Sequence, residues 1–160
     1  MKRIFALMLA CAMSLSLVAC GSNGGSSNGG EKEAVPANAL EILSTVWSSY
    51  GEDETFFVMG GDYDAPVDGA PGASANADWL MGTLLVPETE AANVTDAASL
   101  IHAMNANTFT SACYELRSGV DAATMAAELK DNILARQWMC GFPETLIVIE
   151  VEGCIVTAFG

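Results

Sequence analysis

The chain has 160 residues, with twenty Asp and Glu against six Lys and Arg, and its formal net charge is −14. Nucleic-acid binding requires a basic face, so this charge balance excludes nucleic acid as a partner. About 120 residues follow the leader and tether indicated below, which is enough for one hydrophobic core and too few for two ordinary domains.

The N-terminal 19 residues have the pattern of a secretory signal. A charged start, Met1 to Arg3, is followed by an apolar run from Ile4 to Val18. The run is too short to span a bilayer, which takes roughly 20 apolar residues. We therefore predict a signal peptide over residues 1–19.

The leader ends in Leu17-Val18-Ala19-Cys20, which resembles the lipobox of bacterial lipoproteins. In that family a diacylglycerol is attached to the cysteine thiol and cleavage frees the cysteine amine. The resemblance implies that Cys20 is lipidated and becomes the first mature residue. Two acyl chains hold a protein stably on a membrane, whereas one binds only marginally. The alternative is a plain secreted protein in which Cys20 has no special role.

Residues 20–37 indicate a flexible tether, because "GSNGGSSNGG" contains no apolar side chain to bury. A tether of this length spans about 20–25 Å. We predict one domain over residues 38–160, held at the extracytoplasmic face of the cell membrane.

Removing Lys2 and Arg3 with the leader takes the net charge of −14 to −16. Anionic lipid would repel such a domain, so the lipid on Cys20 is the expected membrane partner.

The first folded element is predicted to be a helix that begins after Asn38. Asn38 can cap the helix, and Glu41 follows three residues later as in a capping box. Apolar side chains recur at helical spacing, and Gly51 is a natural stop. This apolar face comprises Leu40, Leu43, Val46, Trp47 and Tyr50. The short apolar run from Thr55 to Met59 indicates a strand.

A long loop rich in Gly, Pro, Ala and Asp is predicted from Gly60 to Asp78. Loops of more than about 12–15 residues are usually functional or disordered. Asp62, Asp64 and Asp68 lie close together in this loop, and calcium prefers clustered carboxylates. Pro66 interrupts the alternation of an EF-hand loop, and the final Glu of that motif is missing. A solvated acidic loop is the favoured interpretation, and a weak calcium site is the alternative.

The C-terminal half indicates strands, a helix and a hairpin. Thr108 to Leu116 alternates and is rich in β-branched and aromatic residues, which favours a strand. The segment from Ala97 to Met104 is ambiguous between helix and strand, with a turn at residues 105–107 after it. Asp121 is the expected N-cap of the helix in "DAATMAAELKDNILARQW". The last segment, "ETLIVIEVEGCIVTAFG", indicates two strands around a tight turn at Glu152-Gly153.

The final strand is unusually apolar, and an exposed strand of this kind would be a template for aggregation. We expect it to pair with "TLIVIEV". We also expect it to bury Ile155 and Phe159 against the helices that carry Trp47 and Leu129.

The order of these elements, with "CGFPETL" before the hairpin and an aromatic-Gly end, resembles a family of bacterial lipoproteins with a small α+β domain of unknown function. The resemblance covers about Leu84 to Gly160 with the leader and the first helix. It implies that Ala97 to Met104 is a strand, and it implies no activity and no site residues. We expect an α+β fold in which an antiparallel sheet of about four strands packs against helices and follows an N-terminal helix.

Few side chains could carry catalytic or redox chemistry. His102 is the only histidine, which excludes a His-rich metal site, and no P-loop, dinucleotide fingerprint or nucleophile elbow is present. We therefore expect no cofactor. Cys113, Cys140 and Cys154 are too far apart in sequence for a C-x-x-C pair. We expect three buried or half-buried thiols, with one disulfide and a spare thiol as the alternative.

Aromatic and sulfur side chains gather where the last helix meets the hairpin, at Trp138, Met139, Cys140 and Phe142. Such a cluster can bind apolar ligands or peptides, since loops often carry function. The alternative is that these side chains close the edge of the sheet, because large apolar residues are mostly core.

These patterns predict a non-catalytic binding or accessory role, with an undefined ligand and a protein or peptide as a candidate partner. One rival is a cell-envelope hydrolase that uses the thiol of Cys140 or Cys113, or carboxylates. Another is a purely structural spacer. An enzyme requires a pocket that brings His102 or two carboxylates beside a thiol or hydroxyl, whereas a binding module requires an exposed apolar patch or groove.

Overall fold

The computed structural model describes residues 38–104, 108–138, 141–151 and 153–160. The predicted leader, Cys20, the tether and the turn at residues 105–107 lie outside the described residues. The helices are α1 (Ala39–Ser48), α2 (Ala77–Gly82) and α3 (Ala122–Ala135), with a short 3-10 helix at Ala91–Asn93. The strands are β1 (Val58–Gly60), β2 (Val67–Asp68), β3 (Gly72–Ala73), β4 (Val94–His102), β5 (Thr110–Leu116), β6 (Leu146–Val151) and β7 (Cys154–Phe159).

The strands form one antiparallel sheet, which confirms the predicted α+β class. The strand order is β2-β1-β4-β5-β7-β6, and β3 also pairs with β4. In the part of the chain that the structure describes, the sheet has seven strands rather than about four. The additional strands β2 and β3 have two residues each and lie inside the segment predicted to be a loop. They are strands because the loop folds back on β1 and β4, and not because of their own sequence pattern.

The predicted caps of both long helices are confirmed. The Asn38 side chain accepts a hydrogen bond of 2.8 Å from the backbone N–H of Glu41. Asp121 accepts from the N–H groups of Ala123 and Thr124 at the start of α3. Each cap satisfies backbone donors that have no partner within the helix. In the described part of the chain, no helix is both long and apolar enough to cross a bilayer.

Alternation along the strands sends side chains to two cores, one on each face of the sheet. On one face, α1 packs its Leu43 and Val46 in a cluster with Leu100 of β4. On the other face, Leu129 of α3 shares a cluster with Trp79 of α2 and with β4, β5 and β7. The sheet is therefore covered by helices on both faces.

The last strand, β7, pairs with β5 on one side and with β6 on the other. The pairing of β7 with β6 is the hairpin that the sequence predicts. Ile155 and Phe159 are fully buried. Ile155 packs with Leu129, and Phe159 packs with Ile133, which lies one turn further along α3. The expectation that the helix carrying Trp47 also covers them is wrong, because both side chains point to the face opposite α1.

Candidate functional site

The segment from Gly60 to Asp78 doubles back over the end of the sheet and packs its backbone directly on β1. A side chain on Gly60 would collide with the carbonyl oxygen of Ala70 and the amide nitrogen of Gly72. Gly61 has a φ of +77°, which glycine adopts without steric cost. The Gly-Gly pair therefore permits a close approach that larger residues would prevent.

The carboxylate of Asp62 organises this segment. Its Oδ1 accepts from the backbone N–H groups of Asp64 (3.0 Å) and Ala65 (3.2 Å), and its Oδ2 accepts from Asn76 (2.8 Å). The residue is only 6% exposed. Burial acts to raise the pKa of Asp62, but the backbone hydrogen bonds outweigh it and hold that pKa below its usual value. Asp62 is thus a fixed, ionised side chain.

The three acidic residues considered for calcium do not share one arrangement. Asp64 is exposed, and its Oδ2 accepts from the side-chain amide of Asn76 at 2.9 Å. Asp68 is exposed on β2, opposite Met59. Among the described residues, no group of three or more His, Cys, Asp or Glu side chains is placed to hold a metal ion. Asp64 and Asp68 are exposed to solvent, whereas Asp62 is buried.

Helix α2 presents Trp79 to the same segment in a fixed orientation. The indole Nε1 of Trp79 donates to Ser99 Oγ at 3.3 Å. Ser99 Oγ also accepts from Ser74 Oγ at 2.7 Å and donates to the carbonyl of Gly61 at 2.8 Å. Ser74 and Ser99 have no exposed surface. This chain of hydrogen bonds uses the one donor and both acceptor positions of Ser99, and it ties the loop to β4 and α2.

A cleft of about 480 Å³ lies between the loop, α2 and the end of β4. Met59 and Ile101, paired across β1 and β4, are neighbouring side chains on one face and line it. Tyr63 and Trp79 form two further walls, with ring centroids 4.5 Å apart and planes at 85°. Tyr63 is 72% exposed. The remaining lining comes from Gly60, Gly61, Asp62, Pro66, Thr83, His102 and Ala103.

The ring of His102 is held on the α1 side of the sheet. His102 pairs with Val58, whose side chain lies in the α1 core, and its ring stacks on Phe56 at 5.1 Å. Its Nδ1 accepts from the backbone N–H of Met104 at 3.0 Å. The backbone N–H of His102 donates to the carbonyl of Phe109, which places the two residues side by side. Cys113 lies four residues after Phe109 in extended backbone, which is about 13 Å further along the strand. His102 and Cys113 are therefore too far apart for a catalytic dyad.

Cys113 and Cys154 are buried thiols on the adjacent strands β5 and β7, which confirms the expectation of buried thiols for these two. Cys140 lies outside the described residues. The hydrogen bond with Cys154, together with burial, raises the pKa of the Cys113 thiol far above its usual range. A thiol in this environment stays protonated at neutral pH and is a poor nucleophile.

The cluster proposed near the last helix divides between core and surface. Trp138 packs on Phe159 with ring centroids 5.6 Å apart, and Arg136 lies 4.9 Å from its ring centroid. Trp138 and Gly141 exchange backbone hydrogen bonds of 2.7 and 2.8 Å. Phe142 is 58% exposed. Met139 and Cys140 lie outside the described residues.

Sequence reasoning identified the loop but missed the aromatic pair and the apolar floor of the cleft. Tyr63 and Trp79 are 16 positions apart, and neither lies in a motif. The available signal was Tyr63, an aromatic residue within a long segment rich in Gly and Asp. An aromatic ring in such a segment usually packs against the domain or contacts a ligand.

A comparison of the chain with profiles of known families, with curated proteins and with solved structures finds no match. The kind of ligand that the cleft could bind is therefore inferred from the side chains that line it. They provide two aromatic rings, the apolar side chains of Met59 and Ile101, and the fixed negative charge of Asp62.

Proposed function

We propose that this protein is a lipid-anchored binding protein of the extracytoplasmic membrane face, which takes a small ligand or side chain in the cleft lined by Tyr63, Trp79 and Ile101. The cleft is the observation that carries the proposal. Its volume of about 480 Å³ lies in the range of small-molecule sites, which are concave, largely apolar and lined by a few polar groups.

Preorganisation of the cleft supports binding. The loop is tied down by the three backbone hydrogen bonds to Asp62, and Trp79 is tied to Ser99. Walls that are already ordered lose little conformational entropy when a ligand enters, so more of the contact energy remains as affinity. The exposed ring of Tyr63 is the largest apolar side chain offered to solvent at this site.

The protonation chemistry of the cleft favours binding over hydrolysis. Both carboxylate oxygens of Asp62 accept backbone hydrogen bonds, and its lowered pKa makes it a poor proton donor at neutral pH. The ring of His102 is stacked on Phe56, with Nδ1 already accepting a hydrogen bond. The side chains that line the cleft serve recognition better than proton transfer.

The membrane anchor rests on the leader. The lipobox-like Leu17 to Cys20 and the Gly-, Ser- and Asn-rich tether would place the domain just outside the membrane, where ligands in the surrounding medium can reach it. The strongly negative net charge adds solubility at that position.

A variant that fills the cleft tests the proposal. A library of small neutral and cationic fragments is screened by saturation-transfer NMR against the lipidated chain in dodecyl maltoside micelles. Hits are then compared with Thr83→Trp, which adds an indole to the cleft wall, and with the control Thr55→Trp at an exposed site. We expect fragments that bind the wild type and the control but not Thr83→Trp. Equal binding to all three proteins would contradict the proposal.

A further inference from the structure

We propose that the cleft selects an alkylammonium group, such as a quaternary amine or the side chain of lysine, which its aromatic corner and its negative surroundings together hold. This inference rests on the proposed function and names the class of ligand for the same cleft. It is carried by the perpendicular rings of Tyr63 and Trp79, which stand beside the buried carboxylate of Asp62.

The aromatic corner provides the cation-binding surface. The rings of Tyr63 and Trp79 meet edge to face at 85° and both residues line the cleft, with Tyr63 72% exposed and Trp79 7% exposed. The face of an aromatic ring carries negative electrostatic potential and attracts a cation within about 6 Å of its centroid, and indole attracts it most strongly. Met59 and Ile101 provide apolar contacts for the methyl or methylene groups of such a cation. An alkylammonium group needs both kinds of contact.

The charge carried by the elements that line the cleft is of one sign. The sequence from Asn38 to Leu116, which forms α1, α2 and β1 to β5, contains no Lys or Arg. Asp62 lines the cleft, and Asp64, Asp68 and Asp78 belong to the same loop and to the first turn of α2. Clustered negative charge with low-dielectric walls concentrates cations and repels anions. This potential, added to the aromatic corner, favours an organic cation over a neutral ligand of equal shape.

The basic side chains near the cleft are already engaged. Among the described residues, Arg136 reaches α2, where its Nη1 donates to the carbonyl of Gly82, and it lies over the ring of Trp138. Arg117 donates to the carbonyl of Ala92. Neither side chain lines the cleft. The aromatic corner is therefore open to a cation that comes from outside the domain.

Matched probes separate charge from shape. The lipidated chain in dodecyl maltoside micelles is titrated calorimetrically with choline and with 3,3-dimethylbutan-1-ol, which has the same branched shape without the charge. We expect choline to bind at least about tenfold more tightly than its neutral analogue.

A blocked Gly-Lys-Gly peptide and its Nε-acetylated form are titrated in the same way to test the lysine side chain as the ligand. Tighter binding of the unmodified peptide than of choline would identify a lysine side chain as the source, and the reverse would identify a small quaternary amine.

Two variant pairs locate the binding. Tyr63→Leu removes an exposed ring without emptying the core and should weaken choline binding about tenfold, whereas Tyr63→Phe keeps the ring face and should preserve it. Asp64→Asn removes an exposed charge from the loop and should weaken binding, whereas Asp131→Asn removes an exposed charge from α3 and should not.

The outcomes of the titrations are distinct. Equal affinity for choline and its neutral analogue, with both lost in Thr83→Trp, would overturn the cation inference while leaving a ligand-binding cleft. Choline binding that is unchanged in Tyr63→Leu would place the cation elsewhere and overturn the inference. Absence of binding by choline and by the lysine peptide at millimolar concentration would also overturn it, and the fragment screen with Thr83→Trp would then decide the proposed function separately.

Discussion

The hydroxyl groups of Ser74 and Ser99 are 2.7 Å apart at a position that solvent does not reach, and this hydrogen bond joins the loop to the central strand β4. The same Ser99 hydroxyl accepts from Trp79 and donates to Gly61, so one side chain connects the elements that frame the cleft. A buried polar network of this kind stabilises a structure only when every member has a partner.

Removing the Ser99 hydroxyl should therefore cost more than one hydrogen bond. In Ser99→Ala the hydroxyl of Ser74, the indole N–H of Trp79 and the carbonyl of Gly61 all lose a partner. We expect a loss of about 2 kcal/mol or more in the free energy of unfolding, measured in urea. Ser48→Ala, an exposed helix position, is the control and should change stability by less than about 0.5 kcal/mol. Equal midpoints for the two variants would show that the network has no energetic role.

The stability contributed by Asp62 should disappear in acid. Its pKa is lowered in the folded state relative to its usual value of 3.8, so the folded state favours the ionised form. The contribution is complete above the pKa of the unfolded chain and is lost as the pH falls through the folded-state pKa. Urea unfolding of the wild type and Asp62→Asn should differ by a constant amount from pH 7 to about pH 5, and the difference should shrink below about pH 4. Parallel curves down to pH 2 would contradict this account.

Membrane attachment should depend on Cys20 alone. The acyl chains are the expected hold on the membrane, and the acidic domain is repelled by anionic lipid. Cys20→Ala should release the protein into the medium or leave it unprocessed. Fractionation followed by immunoblotting measures this, with Cys113→Ala as a control for general loss of a thiol. A Cys20→Ala protein that remains processed and membrane-bound would rule out the lipoprotein assignment.

Deleting Val156 to Gly160 should unfold the domain. The deleted residues belong to an interior strand that pairs with β5 and β6, and Phe159 is fully buried against α3. Loss of a buried Phe side chain alone costs about 3–5 kcal/mol, against a typical domain stability of about 5–15 kcal/mol. Amide resonances should collapse to the random-coil range, and the cooperative melt should vanish. Dispersed resonances with a sharp melt would show that β7 is dispensable.

Local signals made the long elements predictable from the sequence. The caps at Asn38 and Asp121 depend on hydrogen bonds to residues two or three positions away, which a sequence pattern contains. Strand β5 and the β6–β7 hairpin are long, apolar runs with strand-forming residues. The face on which Ile155 and Phe159 lie was predicted only in part, because alternation groups side chains without specifying which helix covers each group.

The cleft was not predictable because long-range contacts create it. Asp62 bonds to Asn76 across 14 residues, and Ser99 bonds to Gly61 across 38 residues. These bonds bring Tyr63 to Trp79, and no spacing rule links two such positions along the chain. The same contacts explain why β2 and β3, with two residues each, are strands at all.

The most direct test of the binding cleft uses fluorine NMR. The chain has three tryptophans, and the structure places Trp79 in the cleft, Trp47 on α1 and Trp138 beside Phe159. The lipidated chain is labelled with 5-fluorotryptophan, and its resonances are assigned by Trp→Phe substitutions. It is then titrated with choline and, separately, with its neutral analogue. We predict that the Trp79 resonance shifts in a saturable way while those of Trp47 and Trp138 stay in place. A saturable shift at Trp138 alone, or no shift at Trp79 with millimolar probe, would contradict the assignment of the binding site to this cleft.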